Sequence, residues 1–96
     1  MVNEGEQLIA QLSGRLDTAA AAEMAPDFQA LAEQANKHII LDCTNLEYIS
    51  SSGLRLFLSL RKDSAAKGGK LQVRNINSDI RQVFMMTGFI SLFEII

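Results

Sequence analysis

Short apolar runs alternate with stretches of helical spacing along the whole chain. The runs that predict strands are five or six residues long and lie between turn residues; they are 7–12, 38–43, 70–74 and 92–96. The stretches in which apolar residues recur every three or four positions, as on one face of a helix, are 19–34, 52–66 and 79–86. Strands that alternate with helices over short connections predict an α/β fold with a mostly parallel sheet.

The junctions between these elements carry their own signals. Asp17 or Thr18 is expected to cap the first helix, and Asn77 or Ser78 the third. Pro26 lies within the first helix, where the loss of a backbone donor predicts a kink or a restart. The polar residues 44–47 predict a turn, followed by a brief extended piece at 48–49.

Composition narrows the class of protein. The chain has 96 residues, which suits a single domain spanning 1–96, and its net charge of −2 shows no basic footprint for nucleic acid. Cys43 is the only cysteine, so no internal disulfide can form. No segment approaches the roughly 20 apolar residues that span a membrane, and residues 1–6 do not resemble a signal peptide. We therefore expect a cytoplasmic protein without membrane insertion.

Catalytic and metal-binding constellations are not evident in the sequence. The only histidine, His38, begins a predicted strand, and serine nucleophiles need a histidine or another base beside them. One histidine and one cysteine, five positions apart, do not make a metal-ligand set. The glycine patterns match neither a phosphate loop nor a dinucleotide fingerprint. These residues predict a protein that is not an enzyme, with no catalytic residue, metal or cofactor.

The turn Ser50-Ser51-Ser52-Gly53 stands out because three hydroxyls lie where an extended segment meets a buried helix. One serine suffices to cap a helix, which is the simpler interpretation. A helix N-terminus also favours anions, so a phosphate on one of these serines would be tolerated there. Local chemistry leaves both interpretations open, namely a simple cap and a phosphorylation switch.

Residues 42–54, which include the serine turn, resemble the STAS domain, the sulfate-transporter and anti-sigma-factor-antagonist family. Three further pieces agree in order and spacing: Gly14-Arg15-Leu16-Asp17, Gly68-Gly69-Lys70-Leu71, and residues 84–89 with their Thr87-Gly88-Phe89 ending. The resemblance covers nearly the whole chain. It implies a mixed, mostly parallel sheet of four to five strands with helices packed on one side.

The resemblance also implies a function. Anti-sigma factor antagonists bind a kinase-like anti-sigma factor, which phosphorylates a serine in this turn and ends the binding, and a serine phosphatase restores it. Matched on Gly53-Leu54, the phosphorylated serine is Ser51. The residues that the match places at the partner-binding surface are Asp17, Ser50, Ser52, Gly53, Leu54 and Arg55. We expect such a protein to be a monomer or a weak dimer.

Three features depart from the family pattern. Ser50 stands where the family often has Asp, a residue that bears on recognition by the kinase. The first strand is short and the usual C-terminal helix is absent, so we expect a domain truncated at both ends. An alternative function within the family is an accessory subunit of a lipid or anion transport complex, or of a signalling scaffold.

Overall fold

The computed structural model describes residues 2–4 and 7–96, and it places them in one five-stranded sheet with three α-helices. The elements are β1 Val2–Glu4, β2 Gln7–Leu16, α1 Thr18–Glu33, β3 His38–Ile49, α2 Ser51–Ala66, β4 Lys70–Arg74, α3 Ser78–Thr87, a 3₁₀ turn Phe89–Ser91 and β5 Glu94–Ile95. The strand order is β1-β2-β3-β4-β5, with β1 antiparallel to β2 and the remaining neighbours parallel. The predicted α/β fold with a mixed, mostly parallel sheet is confirmed.

The helices pack on one face of the sheet. Alternating residues of the strands share a single apolar cluster with residues of all three helices; the strand members include Leu8, Ala10, Leu12, Ile39, Leu41, Cys43 and Val73. Successive side chains of a strand point to opposite faces of the sheet. Because every second residue of each strand belongs to this cluster, all three helices lie on the same face. Burial there raises the pKa of the Cys43 thiol to about 12, so this thiol stays protonated and inert at neutral pH.

The two central strands are longer than the sequence indicated. β3 runs without interruption to Ile49, so the turn predicted at 44–47 is wrong, and β2 continues to Leu16. The pairing of β2 with β3 shifts register between Gln11 and Ser13 and again between Gly14 and Arg15. These irregularities disturb the alternation of apolar and polar residues, which is why the polar residues looked like a turn.

The two ends of the chain also differ from expectation. The strand predicted at 92–96 is reduced to Glu94–Ile95, because Gly88, with a φ of 79°, ends α3 and a 3₁₀ turn follows it. At the other end, Val2–Glu4 forms a strand that the sequence pattern did not indicate. Met1, Gly5 and Glu6 lie outside the described residues.

Side chains cap all three helices at their first residues. Asp17, Ser50 and Asn77 each accept a hydrogen bond from the backbone N–H three positions later, at 2.9, 3.2 and 2.8 Å. The sequence offered two candidate caps for α1 and two for α3, and the structure shows that the caps are Asp17 and Asn77. α1 is continuous through Pro26, so the restart expected there is absent from this helix.

The sheet face opposite the helices carries a buried carboxylate, Asp42. Its Oδ1 accepts hydrogen bonds from the Thr44 hydroxyl at 2.6 Å and the Thr44 backbone N–H at 3.0 Å. Its Oδ2 pairs with Arg74 Nη2 at 3.1 Å. Burial alone would raise the pKa of Asp42, but the hydrogen bonds from Thr44 and the Arg74 charge outweigh it and lower this pKa below its ordinary value.

We expect Asp42→Asn to lower the free energy of unfolding by roughly 1–2 kcal/mol at neutral pH, since it removes a charge that the native state stabilises. A carboxyl whose pKa is lowered by folding stabilises the protein above its unfolded pKa, and this contribution is lost as the pH falls through its folded pKa. The gap between wild type and variant should therefore close under acid conditions. Urea unfolding at a series of pH values measures it.

The matched control is Asp27→Asn, on the exposed side of α1. Asp27 makes no side-chain hydrogen bond or ion pair within residues 2–4 and 7–96, so its variant should unfold at about the same urea concentration as the wild type at neutral pH. A stability difference for Asp42→Asn that stays constant down to acid pH would contradict the assignment.

Candidate functional site

The serine turn lies where β3 ends and α2 begins, and its first serine is fully engaged in the fold. The Ser50 backbone N–H and the Ser50 hydroxyl both donate to the carbonyl oxygen of Leu16, each at 2.9 Å. The same hydroxyl oxygen accepts the Gly53 N–H at 3.2 Å. Ser50 therefore caps α2 and ties it to the end of β2.

The other two serines differ in exposure. Ser51, the first residue of α2, is exposed, whereas Ser52 is half-buried. Within the part of the chain that the structure describes, neither hydroxyl has a hydrogen-bond partner. Of the three hydroxyls, that of Ser51 is the most accessible to an approaching protein.

Gly53 and Leu54, the residues that follow the serines, pack the first turn of α2 against the core. A Cβ on Gly53 would lie 2.8 Å from Leu16 Cγ and 2.9 Å from Ile49 Cγ1, closer than carbon atoms approach each other. Only a glycine lets the first turn of α2 sit so near the ends of β2 and β3. Leu54 is 5% exposed, so its side chain packs in the core and is not displayed on the surface.

Asp17 and Arg55 are the charged residues that the sequence match assigns to the site. Asp17 is exposed and caps α1, and it directly follows Leu16, whose carbonyl holds Ser50. Arg55 is exposed on α2, four positions after Ser51, so both side chains lie on the same face of the helix. The structure thus gathers both charges around the serine turn.

An additional feature, absent from the sequence prediction, adjoins the turn. Arg15 places its Cζ atom 4.5 Å from the centre of the Tyr48 ring, a cation–π arrangement. Beside this pair lies a groove of about 280 Å³; its lining is Arg15, Glu47, Tyr48, Ile49, Asp79, Ile80 and Val83. The sequence offered one signal, an aromatic residue two positions before the turn, but it could not place α3 opposite that residue.

The site contains a helix N-terminus but not the base that serine chemistry would need. The free N–H groups of the first turn of α2 carry partial positive charge, which favours an anion attached there. His38 lies at the opposite end of β3, where it is hydrogen-bonded to Gln7 and Gln72. Ser51 therefore presents an exposed hydroxyl that has no histidine beside it for nucleophilic attack.

No helix in the described part of the chain combines the length and the apolar character needed to cross a membrane.

A mostly parallel sheet with helices on one face, and an exposed serine at the junction of its longest strand with a helix, define a STAS-like α/β domain. The model of the STAS domain family matches residues 1–96. The chain belongs to the STAS domain family.

Two curated relatives are one-third identical to the chain over the aligned residues. One is BtrV of Bordetella bronchiseptica, provisionally named an anti-sigma factor antagonist, which is 33% identical over 88 residues. The other is an anti-sigma F factor antagonist of Paenibacillus polymyxa, 33% identical over 90 residues. Each alignment covers 92% of this chain and 76% of the relative.

Solved structures share the fold at lower identity. An anti-sigma factor antagonist homologue from Thermotoga maritima superposes with a TM-score of 0.86 at 19% identity, over 96% of this chain and 80% of that one. The phosphorylated form of the Bacillus protein SpoIIAA gives a TM-score of 0.73 at 22% identity, over 100% of this chain and 87% of that one. These likenesses establish the architecture that positions the serine turn.

Proposed function

We propose that this chain is an anti-sigma factor antagonist, a binding module that sequesters a kinase-like anti-sigma factor and is inactivated by phosphorylation of Ser51. The observation that carries the proposal is the unequal state of the three serines. Ser50 is bonded inward, Ser52 is half-buried, and Ser51 presents an exposed hydroxyl at the start of α2. The two relatives at 33% identity, both named as anti-sigma factor antagonists, support the same role.

The start of α2 would favour a phosphate on Ser51 electrostatically. A phosphoserine adds about −1.5 to −2 charges, and the partial positive charge at the N-terminus of α2 stabilises an anion there. Arg55, one helical turn further on the same face, lies where it can pair with that anion. The switch would therefore act on the surface charge that the partner meets and leave the core intact.

In the proposed cycle of phosphorylation and dephosphorylation, other proteins would carry out the catalysis. The anti-sigma factor would supply the kinase activity, and a serine phosphatase would remove the phosphate and restore binding. This chain would contribute the acceptor hydroxyl and the docking surface, with Asp17, Ser50, Ser52, Gly53, Leu54 and Arg55 shaping that surface in the cytoplasm. Gly53 and Leu54 would act indirectly, by holding the first turn of α2 against the core, whereas Arg55 would contact the partner through its exposed charge.

The direct test is to incubate the protein with its anti-sigma kinase and ATP and to locate the phosphate by mass spectrometry. We expect one phosphate on Ser51, lost in Ser51→Ala and kept in Ser52→Ala. Phosphate confined to sites outside residues 50–52, or none at all, would overturn the proposal.

The switch also predicts a change in affinity. Ser51→Asp should weaken binding to the anti-sigma factor by about tenfold or more, roughly 1.4 kcal/mol, because it places a charge at the centre of the contact. Ser59→Asp is the matched control, since Ser59 is also exposed on α2 but lies about 12 Å further along the helix. Isothermal titration calorimetry measures both. Equal affinities of wild type and Ser51→Asp for the anti-sigma factor would contradict the proposed phosphorylation switch.

A further inference from the structure

An exposed methionine of α3, Met86, follows the helix residues that line the groove beside the serine turn. Asp79 and Val83 line the groove, and Met86 follows at positions i+7 and i+3 from them, so the three side chains lie on one face of the helix. Met86 is 80% exposed. Across the groove stands Tyr48, which is itself 39% exposed although it is aromatic. Tyr48 and Val83 in the groove, with Met86 on the helix face that extends from it, form an apolar strip on this surface.

The charged side chains of the groove lining are two carboxylates and one guanidinium. Glu47 and Asp79 are both exposed on its rim. Arg15 is the cation of the groove lining, and its guanidinium lies over the Tyr48 ring. The rim therefore offers two carboxylates to an incoming cation, and the apolar strip offers contact to an apolar side chain beside it.

The groove is continuous with the serine turn. Ile49 belongs to its lining and is followed directly by Ser50, the cap of α2. A protein that covers Ser51 and extends toward α3 would therefore meet the groove next. An interface of standard size buries about 800 Å² on each partner, far more than one helical turn offers, so a partner at Ser51 must also cover neighbouring surface.

We propose that this groove is the second half of the docking surface for the anti-sigma factor, and that it receives an apolar side chain flanked by a lysine or arginine of that partner. The inference rests on the proposed function, which it extends from the serine turn to α3. Apolar contact with Met86 and Val83 holds the partner's side chain, and Glu47 with Asp79 holds the neighbouring cation. Methionine suits such a surface because its side chain adapts to the shape it meets.

The adjacent methionines of α3 supply a matched pair of variants. Met85 is 62% exposed, but it lies two positions from Val83 and therefore points away from the groove. We expect Met86→Asp to weaken binding of the full-length anti-sigma factor about tenfold or more and Met85→Asp to change it less than about twofold. Both positions are exposed, so circular dichroism should show the same folded state for each.

The charge requirement has its own variant. Glu47→Lys should weaken binding and slow association at low salt, with the difference shrinking as the salt concentration rises. Glu23→Lys on the exposed side of α1 is the control for net charge and should leave binding unchanged. Surface plasmon resonance at several salt concentrations measures the association rate and the dissociation rate separately.

The outcomes distinguish this inference from the function on which it rests. If Ser51→Asp abolishes binding while Met86→Asp equals wild type, the groove proposal fails and the proposed function stands. Equal losses for Met85→Asp and Met86→Asp also overturn the groove, because the contact would then not depend on it. If Met86→Asp breaks a self-associated form seen by sedimentation and leaves partner affinity unchanged, the groove binds a second copy and the proposal is wrong.

Discussion

Phe57→Ala should lower the free energy of unfolding by about 3–5 kcal/mol, the cost of removing a fully buried aromatic side chain and leaving a cavity. Phe57 projects from α2 with 0% of its surface exposed. Its ring stacks on Phe28 of α1 at 5.8 Å between centroids and meets Phe84 of α3 and Phe93 edge-on, each at 6.2 Å. One side chain thus joins all three helices and the C-terminal segment over the sheet.

Urea unfolding followed by circular dichroism measures this loss. Domains of this size are stable by only about 5–15 kcal/mol, so Phe57→Leu is the second variant in case the alanine form does not fold. Phe57→Leu should lose less, since it keeps most of the apolar volume. Phe89→Ala is the positional control: Phe89 is half-buried and contacts Phe93 at the edge of the cluster. A loss at Phe57 no larger than at Phe89 would show that the rings do not form one core.

The helices were the predictable part of this fold because their signals are local. The predicted ranges 19–34, 52–66 and 79–86 differ from the observed helices by one residue at each end where they differ at all. A capping side chain and three- or four-residue apolar spacing lie within the helix itself. The strands were harder, since the extra residues that β3 carries at its two register shifts depend on its pairing with β2 and have no signature within either strand alone.

The place of the serine turn in the fold was predictable from the sequence, but the hydrogen bonds and exposure of its serines were not. The sequence match located the turn, and only the coordinates show that Ser50 is the cap and Ser51 the exposed hydroxyl. They also account for the departure at Ser50, where relatives in the family often have Asp. Serine and aspartate are about equally good helix caps, so either residue can tie α2 in place. The groove could not be foreseen, because it requires α3 to pack beside the end of β3, a tertiary contact.

The paired glycines after α2 illustrate the same limit, since the sequence assigns both to one turn and the structure gives each a different role. Gly68 has a φ of 72°, a left-handed conformation, and no atom lies within 4 Å of the position of a Cβ. For Gly69 the constraint is space: a Cβ there would lie 1.8 Å from the backbone oxygen of Ala35 and 2.8 Å from that of Lys37. Backbone atoms cannot turn aside as a flexible side chain can.

Gly69→Ala should therefore lower the free energy of unfolding by about 3 kcal/mol or more, at the upper end of the costs of overpacking, because the segment after α1 must move away from β4. It should also disturb the Lys70 N–H bond to the Lys37 carbonyl, 3.2 Å long, which joins the starts of β3 and β4. Gly68→Ala should lose only about 1–2 kcal/mol, the cost of a left-handed alanine. Urea midpoints compare the two, and hydrogen exchange at Lys70 reports the local opening. A larger loss of unfolding free energy for Gly68→Ala than for Gly69→Ala would contradict this prediction. The turn would then require the left-handed conformation of Gly68 more than the close approach of Gly69 to Ala35.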